Sequence, residues 1–183
     1  MAVKHNPETA INSFLVSNLF PGTSYTISIT CVCVFEILET LSEPESTRFS
    51  TRPEPVCSLS LESRAPTSLT VRWEGPVGQL NSPGQQRFRL TIECPAINYS
   101  AEHTVAGDRN TFNFSKLPEI SGTGQTYEVK VENLLTPAGD DQEVSSVPLT
   151  GRFTTKPLAP ANFKTGPGSH EICWSKSPTP TVR

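Results

Sequence analysis

Three histidines, His5, His103 and His170, and five cysteines, Cys31, Cys33, Cys57, Cys94 and Cys173, are the residues through which this chain could do nucleophilic or metal chemistry. A hydrolytic site needs a nucleophile, a base and an orienting group that converge in space. The histidines fall in three different units of the chain, and His170 and Cys173, three apart on an expected strand, point to opposite faces. A metal centre at Cys31 and Cys33 needs a second ligand pair, which the sequence lacks. The run GTGQTY, Gly122 to Tyr127, has neither the Lys-Ser/Thr nor the following helix of a phosphate loop. GPGS, Gly166 to Ser169, reads as a turn between strands. No catalytic residue, no cofactor site, no metal site and no small-molecule substrate is expected. The odd cysteine count gives no disulfide framework, and Cys31 reads as a small buried hydrophobe.

Two other features carry recognition chemistry. Asn98-Tyr99-Ser100 and Asn113-Phe114-Ser115 fit the N-glycosylation acceptor pattern. Asn113 lies between Phe112 and Phe114, so strand alternation turns it outward, where a glycan fits. In a cytosolic protein both would be plain surface asparagines. The second feature is the run ENLLTPAGDDQEVSS, Glu132 to Ser146, whose Asp140, Asp141 and Glu143 make an acidic candidate binding loop. Leu134 and Leu135 add apolar surface to it if they are exposed. Its bland alternative is an acidic, solvated turn.

The elements that would position these residues are strands. Charged residues are 18% of the chain, and 17 prolines against one methionine favour extended structure and turns. Apolar residues alternate in six runs: Cys57, Leu59, Leu61; Leu69, Val71, Trp73; Phe88, Leu90, Ile92; Phe112, Phe114; Tyr127, Val129, Val131; and Val144 to Phe153. Turn-forming GPVGQLNSPG, AGDRN and TPAGDD separate them. Short strands with frequent turns imply an all-β sandwich or barrel.

The chain also repeats itself. Phe14, Val16, Leu19, Tyr25 and the closing FSTRP (Phe49 to Pro53) match Phe112, Phe114, Leu117, Tyr127 and FTTKP (Phe153 to Pro157). The offsets are 98 from Leu19 to Leu117, 102 from Tyr25 to Tyr127 and 104 from Phe49 to Phe153. SLTVRW, ending in Trp73, matches SHEICW, ending in Trp174, at an offset of 101. The frame is an end, a whole and a beginning.

The tryptophan of SLTVRW, the step LFPGTSYTISI, its counterpart leading to TYEVKV, and the closing F-[ST]-T-[RK]-P together resemble fibronectin type III repeats. The resemblance implies an immunoglobulin-like antiparallel β-sandwich of about 100 residues. It places residues 1–53 as the strands E, F and G of one repeat, 54–156 as a complete repeat, and 157–183 as the strands A and B of a further one. It also implies core tryptophans at Trp73 and Trp174, corner tyrosines at Tyr25 and Tyr127 whose hydroxyls bond back to nearby backbone, and a core leucine at Leu117. The connection EISGTGQ departs from the pattern, since Leu117 stands ten residues before Tyr127 and Leu19 six before Tyr25. Neither the Arg-Gly-Asp triplet nor the Trp-Ser-x-Trp-Ser signature of some members is present. The end pieces lack partner strands, so Phe14, Ile27, Ile29 or Trp174 is expected to meet water, and the chain reads as part of a longer protein.

The function implied is a non-catalytic protein-binding or spacer segment of a receptor or adhesion protein, on the extracellular side of the plasma membrane or secreted. Receptor tyrosine phosphatases and matrix glycoproteins carry such arrays. Proline-bounded junctions, Pro53 and Pro55 on one side and Pro157 and Pro160 on the other, suit a semi-rigid rod. The alternative is an intracellular scaffold of the muscle type, with which unpaired cysteines are compatible. Partners are expected to be proteins. A net charge of −3 and a pI near 5.6 supply no basic field for nucleic acid or an anionic membrane. The opening MAVKHNPETAINSF has no secretory leader pattern. Cys31 to Leu38, the longest apolar stretch, is far shorter than the roughly 20 residues of a membrane span, so no direct membrane insertion by this segment is expected.

Overall fold

A computed structural model describes residues 13–35, 38–76, 84–118, 124–165 and 171–175, apart from the side chains of Phe163 and Trp174. His5, His170, the GPGS run, most of EISGTGQ and the Trp174 indole lie outside the described residues. The described chain is antiparallel β throughout, with a single 3-10 turn at Pro95–Ile97 among the described residues.

The middle of the chain forms two facing sheets. One holds β5 (Ser58–Ala65), β6 (Ser68–Glu74) and β9 (Thr111–Phe114) in the order β5-β6-β9. The other holds β8 (Tyr99–Ala106), β7 (Gly84–Cys94) and β10 (Thr126–Pro137), with β11 (Val144–Ser145) and β12 (Leu149–Thr154) end to end along the far edge of β10. Inward residues alternate along each central strand: Leu69, Val71 and Trp73 on β6, Phe88, Leu90, Ile92 and Cys94 on β7, and Tyr127, Val129 and Val131 on β10, all 2% exposed or less. Period-two alternation puts every second side chain on the buried face, and that face is one contiguous core.

In the leading segment β1 (Ser24–Ile29) pairs with β4 (Glu45–Ser50), and β2 (Val32–Phe35) pairs with β3 (Leu38–Leu41) as the outer part of the same hairpin. These stand where F and G of a sandwich stand. Among the described residues of this segment the expected strand E is not seen, since residues 13–23 hold no strand. Phe14 is 63% exposed. Cys31 is exposed rather than buried, since no second sheet covers this hairpin among the described residues; the buried cysteine is Cys94. At the other end β13 (Ala161–Thr165) pairs with β14 (Ile172–Ser175).

The two units share finer details. Asn18 and Lys116, each just before its leucine, have left-handed φ of 60° and 58°. The Tyr127 hydroxyl donates to the Pro118 carbonyl at 2.6 Å, and the Phe20 amide donates to the Tyr25 hydroxyl at 2.8 Å. Leu117 is buried and its amide reaches the Thr67 carbonyl at 2.9 Å. Removing the buried corner hydroxyl strands the Pro118 carbonyl, so Tyr127→Phe is expected to cost about 1 to 2 kcal/mol in urea unfolding. An unchanged midpoint would remove the corner bond from the account.

Candidate functional site

The loop after β10 was expected to begin near Glu132, but β10 runs on to Pro137. Leu134 and Leu135 are therefore ladder residues, opposite Arg87 and Gln86 of β7 and flanked by β11. They are 2% and 3% exposed, so the condition under which they would add apolar surface to the loop is not met. The loop proper is a tight turn closed by the Asp140 amide on the Pro137 carbonyl at 3.1 Å. Gly139 sits in it at φ +74°, a conformation glycine adopts without a Cβ clash, and a Cβ there would come within 3.4 Å of Arg48 Nη2.

This turn aims Asp140 away from its own sandwich and onto the leading hairpin. The Ser24 and Ser50 hydroxyls donate to Asp140 Oδ2 at 3.0 and 2.5 Å, while Oδ1 accepts the Gln142 amide at 3.2 Å. Arg48 Nε donates to Ser24 Oγ at 3.0 Å, bringing its guanidinium to the cluster. The Ser50 hydroxyl above all, then the Gln142 amide, the Ser24 hydroxyl and the Arg48 charge, hold the Asp140 carboxyl below its ordinary 3.8, at about 2.

The other two acidic residues have different surroundings. Glu143 pairs with Arg87 and approaches Arg89 at 3.8 Å. Asp141 is exposed. The three carboxylates thus do not converge on one point. Behind the turn, buried Asn133 closes the end of the sandwich: its Nδ2 donates to the Glu54 carbonyl at 2.9 Å and its Oδ1 accepts from Gln86 Nε2 at 2.9 Å. The Asn133 amide and carbonyl both bond Ser146, at 2.9 and 2.8 Å. Glu54 belongs to the connection between the two units, so Asn133 and Asp140 grip the junction from one side of it.

Sequence reasoning missed two features. The outer face of the larger sheet carries a ladder of opposite charges: Arg89 with Glu102 and Glu132, Lys130 with Glu93 and Glu128, and Arg152 with Glu128. The Glu93 hydrogen bond is the main cause that raises the Lys130 pKa. Exposed pairs of this kind contribute about 0 to 1 kcal/mol each and leave little unpaired charge for a polyanion. The second is Asn133 itself, whose only signal was a polar residue at an inward position of an apolar strand.

Of the glycan candidates, Asn98 is exposed in a left-handed turn at φ 50°, immediately before β8. Asn113 is exposed on β9, its Nδ2 2.7 Å from Thr70 Oγ1. His103 lies against Phe112 and Phe114 at ring distances of 4.8 and 5.8 Å. No group of three or more metal-ligating side chains occurs among the described residues. No described helix is long and apolar enough to cross a membrane.

A two-module fibronectin type III segment of chicken tenascin superposes with a TM-score of 0.51 at 22% identity, covering 78% of this chain and 70% of that one. The fold is that of fibronectin type III modules. Domains d3-d4 of the rat CD45 extracellular region align with a TM-score of 0.43 at 21% identity, over 85% of this chain and 76% of that one. In sequence, the collagen alpha-1(XII) chain of Oryctolagus cuniculus is 28% identical over 152 residues, 80% of this chain. The chain spans 20% of the length of that relative. No family model matches. Within the fibronectin type III arrangement, the turn that carries Asp140 joins strands F and G at the end where the preceding module attaches.

Proposed function

We propose that this chain is a non-catalytic segment of a cell-surface receptor or adhesion protein, built from tandem fibronectin type III modules, that spaces its neighbours and presents surfaces to protein partners outside the cell. The observation that carries the spacer role is the reach of Asp140 from one unit to Ser24 and Ser50 of the unit before it. A loop spent on its neighbour is poorly placed for a ligand, which leaves Asp141 as the free carboxylate of the turn and shifts recognition to other faces. Likeness to the tenascin segment supports the tandem arrangement.

Asp140→Ala tests it. Distances between spin labels on the leading hairpin and on the sandwich are expected to broaden, with the thermal midpoint of the sandwich unchanged. A distance distribution identical to that of the parent chain would sink the latch. Acid acts in the same way. The carboxyl binds protons less readily in the latch than when free, so the contact is complete above about pH 3.8 and is lost as the pH falls through about 2. The label distances should broaden over that window, and Asp140→Asn should remove the pH dependence.

One observation favours a second reading, an intracellular scaffold. All five cysteines are free, and four of them are exposed, as a reducing compartment allows. Antibody staining of intact, unpermeabilised cells separates the two: signal without permeabilisation supports the extracellular reading, and signal only after it supports the scaffold.

A further inference from the structure

The complete sandwich has two sides on which strand edges face outward, and they are defended differently. On one side β12 and β5 lie together and are closed by contacts: Arg64 Nη1 reaches the Thr154 carbonyl at 3.4 Å, the Lys156 amide reaches the Ala65 carbonyl at 3.2 Å, and Gly151 lies against Leu59. Charge and irregularity reinforce this side, with Glu62, Arg64 and Arg152 on the strands, a register shift at Leu61/Ser63, and Ser146 to Pro148 interrupting the edge between β11 and β12. These are the devices that keep sheet edges from pairing with other chains.

The opposite side has fewer of them: a single charge, Glu102 on β8, and no proline or register shift. Among the described residues β8 pairs only with β7, and β9 only with β6. β8 is eight residues long, YSAEHTVA, with one acidic residue and neither lysine nor proline; β9, TFNF, has no charge at all. Between the two edges lies an open depression lined by Val105, Ala106, Arg109, Thr111 and Phe112. Sparsely charged edges beside exposed apolar surface template association. Both acceptor triplets fall on these two elements: Asn98 is the residue before β8, and Asn113 is the central asparagine of β9.

We propose that Asn98 and Asn113 are N-glycosylated and that the two glycans shield the free edges of β8 and β9 from strand pairing. The inference rests on the extracellular reading above, because it needs the secretory lumen and a lipid-linked oligosaccharyl pyrophosphate as donor. In the transfer, a bond forms between the sugar C1 and asparagine Nδ2, the C1–O bond to pyrophosphate breaks, Nδ2 gives up one proton and the lipid pyrophosphate departs. No electron changes hands. The substituted amide keeps one N–H, so Asn113 retains a donor for Thr70 Oγ1 after modification. Asn98 is exposed in its left-handed turn, immediately before β8.

The test uses the full chain purified from a secreting animal cell. Treatment with peptide:N-glycanase in heavy-oxygen water, followed by peptide mapping, should convert residues 98 and 113 to heavy-labelled aspartate. Enzymatic removal of the sugars, and separately Asn98→Gln with Asn113→Gln, should tighten self-association about tenfold in sedimentation, equivalent to about 1.4 kcal/mol. Hydrogen exchange at β8 and β9 amides should then slow as concentration rises. Unmodified asparagines in secreted protein would overturn the proposal while leaving the extracellular reading in place. Glycans whose removal leaves sedimentation and edge exchange unchanged would overturn the shielding role. Protein found only inside cells fails the extracellular reading itself, and the glycans with it.

Discussion

Trp73→Ala is expected to remove about 3 to 5 kcal/mol from the middle sandwich, a large share of the roughly 5 to 15 kcal/mol that holds a domain together. The indole is 1% exposed on β6 and meets the Phe88 ring edge-on, with centroids 5.5 Å apart and planes at 67°. Truncation takes away the largest fully buried side chain and leaves a cavity between sheets whose strands cannot collapse without breaking their ladders. Trp73→Phe is expected to cost less than half as much. The indole Nε1–H is buried with no acceptor among the described residues, so phenylalanine gives up contact area but also removes a donor that folding leaves unsatisfied. Urea unfolding followed by far-ultraviolet circular dichroism reads both, and the two variants should share one slope. A loss below about 1 kcal/mol for the alanine variant would show that the tryptophan is not the keystone of this core.

Asn133→Ala is expected to cost about 2 to 4 kcal/mol without touching an apolar contact. Its amide satisfies the Glu54 carbonyl and the Gln86 side chain, and both lose their buried partner together. Because the Asn133 backbone holds Ser146 on β11, hydrogen exchange at the Ser146 amide should quicken along with the drop in the urea midpoint. Asn133→Asp separates the two bonds: a carboxylate still accepts from Gln86 and cannot donate to Glu54, so it should lose at least as much as alanine at neutral pH. An aspartate variant as stable as the parent would mean that the Glu54 bond contributes nothing.

The strands with large apolar residues on alternate positions were legible from the chain alone. Leu69-Val71-Trp73, Phe88-Leu90-Ile92 and Tyr127-Val129-Val131 all face the core. β8 was not, because its inward positions hold Tyr99, Ala101, His103 and Val105, too small or polar to register as an apolar period. The first strand was read too early, since Cys57 is exposed and precedes β5. The last run, Val144 to Phe153, is two strands separated at Ser146 to Pro148, where proline cannot donate to the ladder. A turn does carry Asp140, Asp141 and Glu143, but its contacts were not legible. Its composition announced a solvated turn, while the partners of Asp140 lie 116 and 90 residues earlier in the chain, a separation that no local pattern encodes. The same holds for Asn133 and Glu54, 79 residues apart.

The Asp140 turn changes the mechanics of the joint it sits beside. Two bodies tied by one covalent strand pivot freely, as on a ball joint. A second attachment next to the strand leaves rotation only about the line through both, which makes the joint a hinge. Asn133 shortens the free strand further by holding Glu54, so the pivot lies at Arg52 and Pro53, the latter buried. Bending across that line has to shear the two serine hydrogen bonds, whereas bending along it does not. A string of modules joined in this way would flex in one plane and stay stiff in the other, as a ribbon does and a cord does not.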